Sequence, residues 1–409
     1  MEEIYVARQP IFNADQDVYG YELLYRSGTR MFYSSLDGDS AASAVITNSF
    51  LLIGLETLTR GKKAFINFTR KLLENEIATL LPHDSIVVEI LEESPPDGKM
   101  LSACRKLKAL GYRLALEDYR GDPRFEPLLE LVDIVKVNFL TMPPLWREAI
   151  AQKIGPGPVS LLAERVETRE DFSRALELGY RFFQGYFFSK PLIVSGRDIP
   201  SFKLTYLKIL QEVARSDFNY DRLEALIKQD LSLSYKLLKF INSLAFGFRS
   251  EIRSIKQALV LLGQKEIKKW LTLIALKSIG DFKPDELVVT ALCRARFCEL
   301  MATPAALQSR SSDLYLMGLF SLVDAFFDLP LETILADLPL AEDIKAALLG
   351  EENRLRDVYE LALAYEKGDW AELGRRAARL GVEERDIKEC YLQSLEQANA
   401  VFCKRSLLS

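Results

Sequence analysis

The chain has a single histidine, His83, among 409 residues. That scarcity excludes a multi-histidine metal centre, a His-Asp hydrolase cluster and any zinc site that needs two histidines. A Ser-His-Asp triad would have to use His83, which sits in the turn-like stretch LLPHDS and reads as a surface residue. Cysteine is scarce too. Cys104, Cys293, Cys298, Cys390 and Cys403 are odd in number and scattered, the pattern of a reducing compartment and not of a disulfide framework. No apolar run reaches the roughly 18 residues of a membrane-spanning helix. MEEIYVARQP lacks the apolar centre of a secretory signal. A cytoplasmic chain without a membrane span is therefore expected. Neither sign of charge dominates: 53 Lys and Arg stand against 58 Asp and Glu, for a net −5. The first 200 residues hold 24 of those bases and 28 of the acids, and the rest hold 29 and 30, so both parts are slightly acidic. No nucleic-acid partner is expected on that balance. GxGxxG and GxxxxGK[ST] are also missing, so nothing points to a nucleotide-binding open sheet.

What remains is a chain that is 49% hydrophobic and 27% charged, the profile of a globular protein with a sizeable core. At about 150 residues per domain its length suggests two or three domains. Up to about residue 195, short apolar runs alternate with helical spacing. The strand-like runs are DVYGYELLY, AFINF, SIVVEIL, YRLALED, DIVKVNF, VSLLAERV and YRFFQGYFF. Three of the helical stretches between them end at Gly111, Gly155 and Gly179, where C-caps favour glycine. Seven such units, paired in parallel through right-handed crossovers, fit a TIM-like βα barrel over residues 1–195. Pro191, Gly196 and Pro200 punctuate the join. Beyond it, over 200–409, Leu and Ala recur at three- and four-residue spacing with no convincing strand, so an all-helical domain is expected. The fold class is thus α/β followed by all-α.

In a βα barrel the chemistry sits at the C-terminal ends of the strands. Polar groups interrupt the apolar strands at just those places: Glu22, Asn67, Glu89, Glu117 and Asp118, Lys136, Glu164, and Gln184. Buried without partners, each would cost several kcal/mol. Convergence on one mouth satisfies them. Such a ring offers hard oxygen ligands suited to Mg²⁺ or Mn²⁺ and to phosphate chemistry, not to zinc.

At these residues the sequence resembles the EAL domain, the family of cyclic di-GMP phosphodiesterases named for its Glu-Ala-Leu motif. YELLYR matches that motif with Leu23 in place of Ala; FINFT, VVEILEE, LALEDY, IVKVNF, AERVE and FFQGYFFSKP follow in the family's order. The resemblance implies metal ligands at Glu22, Asn67, Glu89, Glu117, Asp118 and Glu164. It implies catalytic roles for Glu22 and Lys136, and substrate contacts at Arg26, Gln184 and Glu167. The cofactor implied is Mg²⁺ or Mn²⁺. Four departures stand out. Glu117 replaces an Asp, Asn138 replaces another, and Arg165 replaces a Gly, where its charge would compete with a cation for Glu164. The loop RGDPRFEPLLELV is shorter than the family's and is stiffened by Pro123 and Pro127.

The second part resembles the HDOD domain, a helical relative of the HD phosphohydrolases that lacks their His-Asp pair. The match runs from LIKQDLSLSYKLLKFINSLAF through SIKQALVLLGQKEIKKWLTLIAL; Asp230, Asn242 and Ser243 there read as helix ends. Together the two parts resemble the EAL–HDOD signalling proteins. On the departures, the expected function is a non-catalytic sensor or scaffold of cyclic di-GMP signalling, docking an unidentified signalling protein through the HDOD domain. The alternative is an active metal-dependent phosphodiesterase giving linear pGpG. The sequence is compatible with an oligomer.

Overall fold

The computed structural model describes residues 4–27, 54–91 and 96–189, then 218–228 with scattered positions between 206 and 241, and 254–279, 283–338 and 340–403. The 190–200 join and Asp230, Asn242 and Ser243 lie outside the described residues. The chain divides into two compact units. Residues 1–190 and 360–396 form one; residues 191–359 and 397–409 form the other.

In the first unit eight strands close into a barrel in sequence order. They are β1 Ile4–Asn13, β2 Val18–Ser27, β3 Lys63–Phe68, β4 Ile86–Ile90, β5 Arg113–Leu116, β6 Ile134–Asn138, β7 Ser160–Glu164 and β8 Phe182–Gln184. From β2 to β8 all neighbours pair in parallel. The sequence reading counted seven strands and missed β1, which runs antiparallel to both β2 and β8. Pro10 hid it, because proline argues against a strand inside a sheet. The barrel accommodates Pro10 because β8 pairs only with Ile11, Phe12 and Asn13, so no β8 ladder extends to it. A tight turn joins β1 to β2, where Asn13 Oδ1 accepts from Asp17 N at 2.8 Å.

Short helices fill the crossovers: α1 Leu55–Thr59, α2 Arg70–Glu74, α3 Gly98–Ala109, α4 Glu126–Leu129, α5 Pro144–Ile154 and α6 Arg169–Glu177. Side-chain oxygens of Thr69, Asp97 and Thr168 cap the starts of α2, α3 and α6. Gly111, Gly155 and Gly179 follow α3, α5 and α6 at positive φ, as the C-cap reading required. The proline-rich loop after β5 folds as a 3-10 turn at Pro123–Phe125, capped by Asp122, and then as α4. His83 is exposed before the N-terminal end of β4, away from the strand ends that matter here.

The barrel interior is layered. Ile11, Phe65, Val87, Ala115, Ile134 and Leu162 form a buried apolar layer, with Tyr19 and Phe182 packed against it. Side chains alternate along a strand, so the next inward position toward the mouth lies two residues on, or two residues back on the antiparallel β1. In each case that residue is polar: Gln9, Asn67, Glu89, Glu117, Lys136, Glu164 and Gln184. On β2 a bulge opposite Ile11 and Phe12 leaves Tyr19 as the extra residue, so Tyr19 and Glu22 both face inward.

The second unit is helical. It contains α7 Tyr220–Lys228, α8 Ile255–Ile279, α9 Asp285–Met301, α10 Ser311–Phe320, α11 Val323–Phe327, α12 Leu331–Asp337, α13 Glu342–Leu348 and the start of α14 Arg354–Lys367. Gly263 breaks the path of α8 with φ 74° and ψ 157°. Helices α9 and α10 pack backbone to backbone at Gly318, where an added Cβ would lie 2.4 Å from Arg294 O. The rest of α14, then α15 Trp370–Leu380 and most of α16 Glu384–Cys403, belong to the barrel unit.

Candidate metal and substrate site at the barrel mouth

Lys136 is the centre of the polar layer. Its ammonium is fully buried and faces four carboxylates: Glu89 Oε1 at 2.5 Å, Glu117 Oε1 at 2.5 Å, Glu164 Oε1 at 2.9 Å and Glu22 Oε2 at 3.3 Å. Two amides complete the ring. Asn67 Nδ2 donates to Glu22 Oε1 at 3.3 Å, and Gln184 Nε2 donates to Glu22 Oε2 at 2.7 Å. Six strand ends thus meet around one lysine, as register demands. Asn67 lies beside Glu89, and Lys136 sits two residues below Asn138, the partner of Glu164.

The electrostatics are unbalanced. One ammonium cannot neutralise four carboxylates in a buried site, so protons are retained where burial is deepest. Burial pushes Glu89 up to about 8 against the pull of Lys136. Burial and the charge of Glu164 hold Glu117 well above the ordinary carboxyl range, and burial raises Glu164 as well. Glu22 goes the other way. Burial acts to raise it, but Lys136, Gln184 and Asn67 together hold it below its usual value. Burial alone would depress Lys136; Glu117, Glu164, Glu22 and Glu89 keep it well above the lysine range.

This donor set fits a hard divalent cation. Glu22, Glu117 and Glu164 each offer one oxygen, all within 4.8 Å of one another. Glu89 Oε2 and Gln184 Oε1 are buried acceptors without a hydrogen-bond partner among the described residues. All-oxygen ligation with surplus negative charge suits Mg²⁺ or Mn²⁺.

A solved EAL-domain protein from Listeria monocytogenes is similar at 19% identity, over 45% of this chain and 87% of that one, with a TM-score of 0.36. A family model of the HDOD domain matches residues 199–327. YuxH of Bacillus subtilis is 39% identical over 96% of this chain and 97% of its own. The cyclic di-GMP phosphodiesterase CdgJ of Vibrio cholerae is 38% identical over 95% of this chain and 91% of its own. The chain belongs to the family of these two proteins. It is an EAL–HDOD protein, with the EAL-type barrel first and the HDOD helices after it.

Within the EAL-type barrel the departures take definite positions. Glu117 reaches Lys136 and the carboxylates beside it, so the longer side chain still enters the ring. Arg165 does not compete for Glu164. It is exposed, it makes no ion pair among the described residues, and Glu164 pairs with Lys136. Its φ of 52° explains the family's glycine there. Asn138 is buried, and its Oδ1 accepts from Leu140 N at 3.1 Å and Thr141 N at 3.2 Å, closing the turn after β6. Asp118 makes no ion pair with Lys136 among the described residues. Its φ is 37°, and its Oδ2 accepts from Arg120 Nε at 3.1 Å while its Oδ1 is buried without a hydrogen-bond partner among the described residues. Glu167 is exposed on the loop between β7 and α6, outside the ring. Arg26 lies on β2 opposite Tyr5, with its side chain outside the described residues.

One participant escaped the sequence reading. Gln9 on β1 presents Oε1 to Gln184 Nε2 at 3.2 Å. The alternation of Ala7, Gln9 and Ile11 was its only signal, and Pro10 masked it. Gly185 fixes the other side of that contact. At φ 145° it lets the backbone pass so close to Val166 that an added Cβ would lie 2.2 Å from Val166 O.

Proposed function

We propose that the barrel is a divalent-cation-dependent phosphodiesterase that opens one ester of cyclic di-GMP to give linear pGpG. The observation that carries this reading is the single buried layer in which Glu22, Asn67, Glu89, Glu117 and Glu164 surround Lys136. The altered residue Glu117 is part of that layer, and Arg165 stays out of it. Likeness over nearly the whole chain to CdgJ, a cyclic di-GMP phosphodiesterase, supports the same reading.

Glu22, Asn67, Glu89, Glu117 and Glu164 are the residues to hold Mg²⁺ or Mn²⁺. When bound, the cation supplies a nucleophilic hydroxide at neutral pH and neutralises phosphate charge. Lys136 keeps its proton among the carboxylates and holds their side chains in one orientation. Gln184 orients Glu22 by donating to Oε2. The apolar layer beneath, with Phe65, Ile134 and Leu162, excludes water from below and keeps the electrostatics strong. The HDOD helices have no histidine for hydrolysis, so their part in this reading is regulation or the docking of a signalling protein.

The test is incubation of the full chain with cyclic di-GMP and Mn²⁺. Linear pGpG should accumulate, and Glu22→Ala should abolish it. A wild-type protein that forms no pGpG overturns the proposal. A second reading, a sensor that binds without turnover, draws on the pairing of Asp118 with Arg120 and on the short loop after it. Calorimetric binding of cyclic di-GMP with no pGpG formed would select that reading.

A further inference from the structure

The segment 360–396 lies in the same compact unit as the barrel, and its turn between α14 and α15 reaches the mouth. Gln9 Nε2 donates to Lys367 O at 3.4 Å. Gln9 Oε1 accepts from Gln184 Nε2 at 3.2 Å, and the same Nε2 donates to Glu22 Oε2 at 2.7 Å. A continuous hydrogen-bonded chain therefore runs from a backbone carbonyl of the C-terminal helices to a carboxylate of the proposed cation site.

Both ends of this chain are acceptors, and between them stand two amides. An amide has one acceptor oxygen and an NH₂ with two protons. Gln184 spends one proton on Glu22 and the other on Gln9, which must then present its oxygen to Gln184 and its NH₂ to Lys367 O. Turning Gln9 over would set NH₂ against NH₂ and oxygen against oxygen. Turning Gln184 over would set its oxygen against the Glu22 carboxylate. The chain is satisfied in one orientation only, and Lys367 O fixes its outer end.

The turn is also seated by packing. Gly368 has φ 67°, and a Cβ there would lie 3.1 Å from Leu24 Cδ1 and 3.5 Å from Leu24 Cβ. Leu24 is two residues beyond Glu22 on β2. The Lys367 ammonium lies 5.8 Å from the centre of the Tyr186 ring, two residues beyond Gln184. One turn thus touches β1, β2 and the end of β8, the three segments that meet at Glu22. The turn is held from behind: Asp369 N donates to Ala364 O at 2.8 Å and Asp369 Oδ1 accepts from Glu372 N at 3.0 Å. Tyr365 stacks on Tyr391 at 4.0 Å between ring centres and meets Trp370 edge-on.

We propose that Gln9 is a positioning residue for the cation site, and that the Lys367–Gly368 turn holds it so that Gln184 is aimed at Glu22. This rests on the reading of the barrel as a divalent-cation site. The C-terminal helices thereby become part of that site's supporting shell, and whatever shifts them changes its affinity.

Titration calorimetry of the full chain with MnCl₂, without nucleotide, tests this. Gln9→Ala and Gly368→Val should each weaken Mn²⁺ binding by about ten-fold, the lower end of the loss seen when a supporting partner of a ligand is removed. Gln9→Ala should cost nothing further in a Gln184→Ala background, because it acts through Gln184; a general loosening of the fold would still add its own cost there. Gln9 is only half-buried, so its variant decides the matter even if Gly368→Val misfolds. Wild-type Mn²⁺ affinity in Gln9→Ala, or an undiminished cost on top of Gln184→Ala, overturns the relay alone. Failure of the wild-type chain to bind Mn²⁺ overturns the cation-site reading and the relay with it.

Discussion

At the scale of single residues, the mouth is governed by a charge imbalance. Lys136 faces Glu22, Glu89, Glu117 and Glu164 out of water, and no second ammonium enters the ring among the described residues. In the cation-free protein, Glu89 is pushed up to about 8, with Glu117 and Glu164 also raised. An acid whose folded value is raised favours folding while protonated. Its contribution is complete below its unfolded value near 4.5 and is lost as the pH rises through its folded value of about 8. Lys136 is also raised, but it stays charged throughout that window, and Glu22 is lowered, so it acts only below about 4.5. The cation-free protein should therefore lose thermal stability between about pH 5 and about pH 8, and Mn²⁺ should restore it at the upper end. Melting curves at a series of pH values, with chelator and with MnCl₂, check both halves. Removing the lysine strands four carboxylates. Lys136→Met should cost about 3–5 kcal/mol in urea unfolding of the cation-free chain, since the partners of a broken buried pair are left uncompensated. Most of this residue pattern was legible in sequence, because a polar side chain inside an apolar strand announces itself. Gln9 was not, and neither was the pairing of Asp118 Oδ2 with Arg120, at a φ of 37° that no spacing reveals.

At the scale of elements, two tight backbone positions frame the last strands of the barrel. Gly185 passes so close to Val166 that a methyl group has no space, and its φ of 145° is unfavourable for any L side chain. Gly185→Ala should cost upwards of about 2 kcal/mol in denaturant unfolding, the size expected of a clash with backbone that cannot swing aside. Arg165, by contrast, occupies a position that favours glycine, with φ 52°. A left-handed conformation costs about 1–2 kcal/mol for an L residue, against the roughly 0.5–1 kcal/mol of extra chain entropy that glycine loses on folding. Arg165→Gly should thus stabilise the barrel slightly and leave Mn²⁺ affinity unchanged, as calorimetry can show. A marked rise in affinity would mean that Arg165 does reach Glu164, as its charge alone had suggested. The strands β2 to β8 and the glycine caps were readable because period-two burial and C-cap chemistry are local. β1 was not, since its proline is excused only by where β8 stops, which is tertiary information.

At the scale of the whole molecule, linear order and compactness part company. Sequence patterning placed a division at 195–200, between strands and helices, and that change of pattern is real. Compactness instead groups residues 360–396 with the barrel, so that one unit is assembled from two stretches of chain far apart in sequence. No periodicity reports such a return, because α14 to α16 look like any other amphipathic helices. Its consequences reach folding. The barrel unit must close a long intervening loop before segment 360–396 can dock, and the entropy of that closure is offset by contacts such as Gln9 with Lys367 and Leu24 with Gly368. A fragment of residues 1–195 lacks those contacts, along with the apolar cover over Leu24. It should unfold several degrees below the barrel transition of the full chain, and it should bind Mn²⁺ more weakly as the Gln9 amide loses its outer anchor. Joining residues 1–195 to 360–396 through a flexible linker should recover both properties. Differential scanning calorimetry and Mn²⁺ titration of the three proteins distinguish the outcomes. If the fragment of residues 1–195 melts and binds as the full chain does, the barrel is self-sufficient and the return of segment 360–396 is packing without consequence for the site.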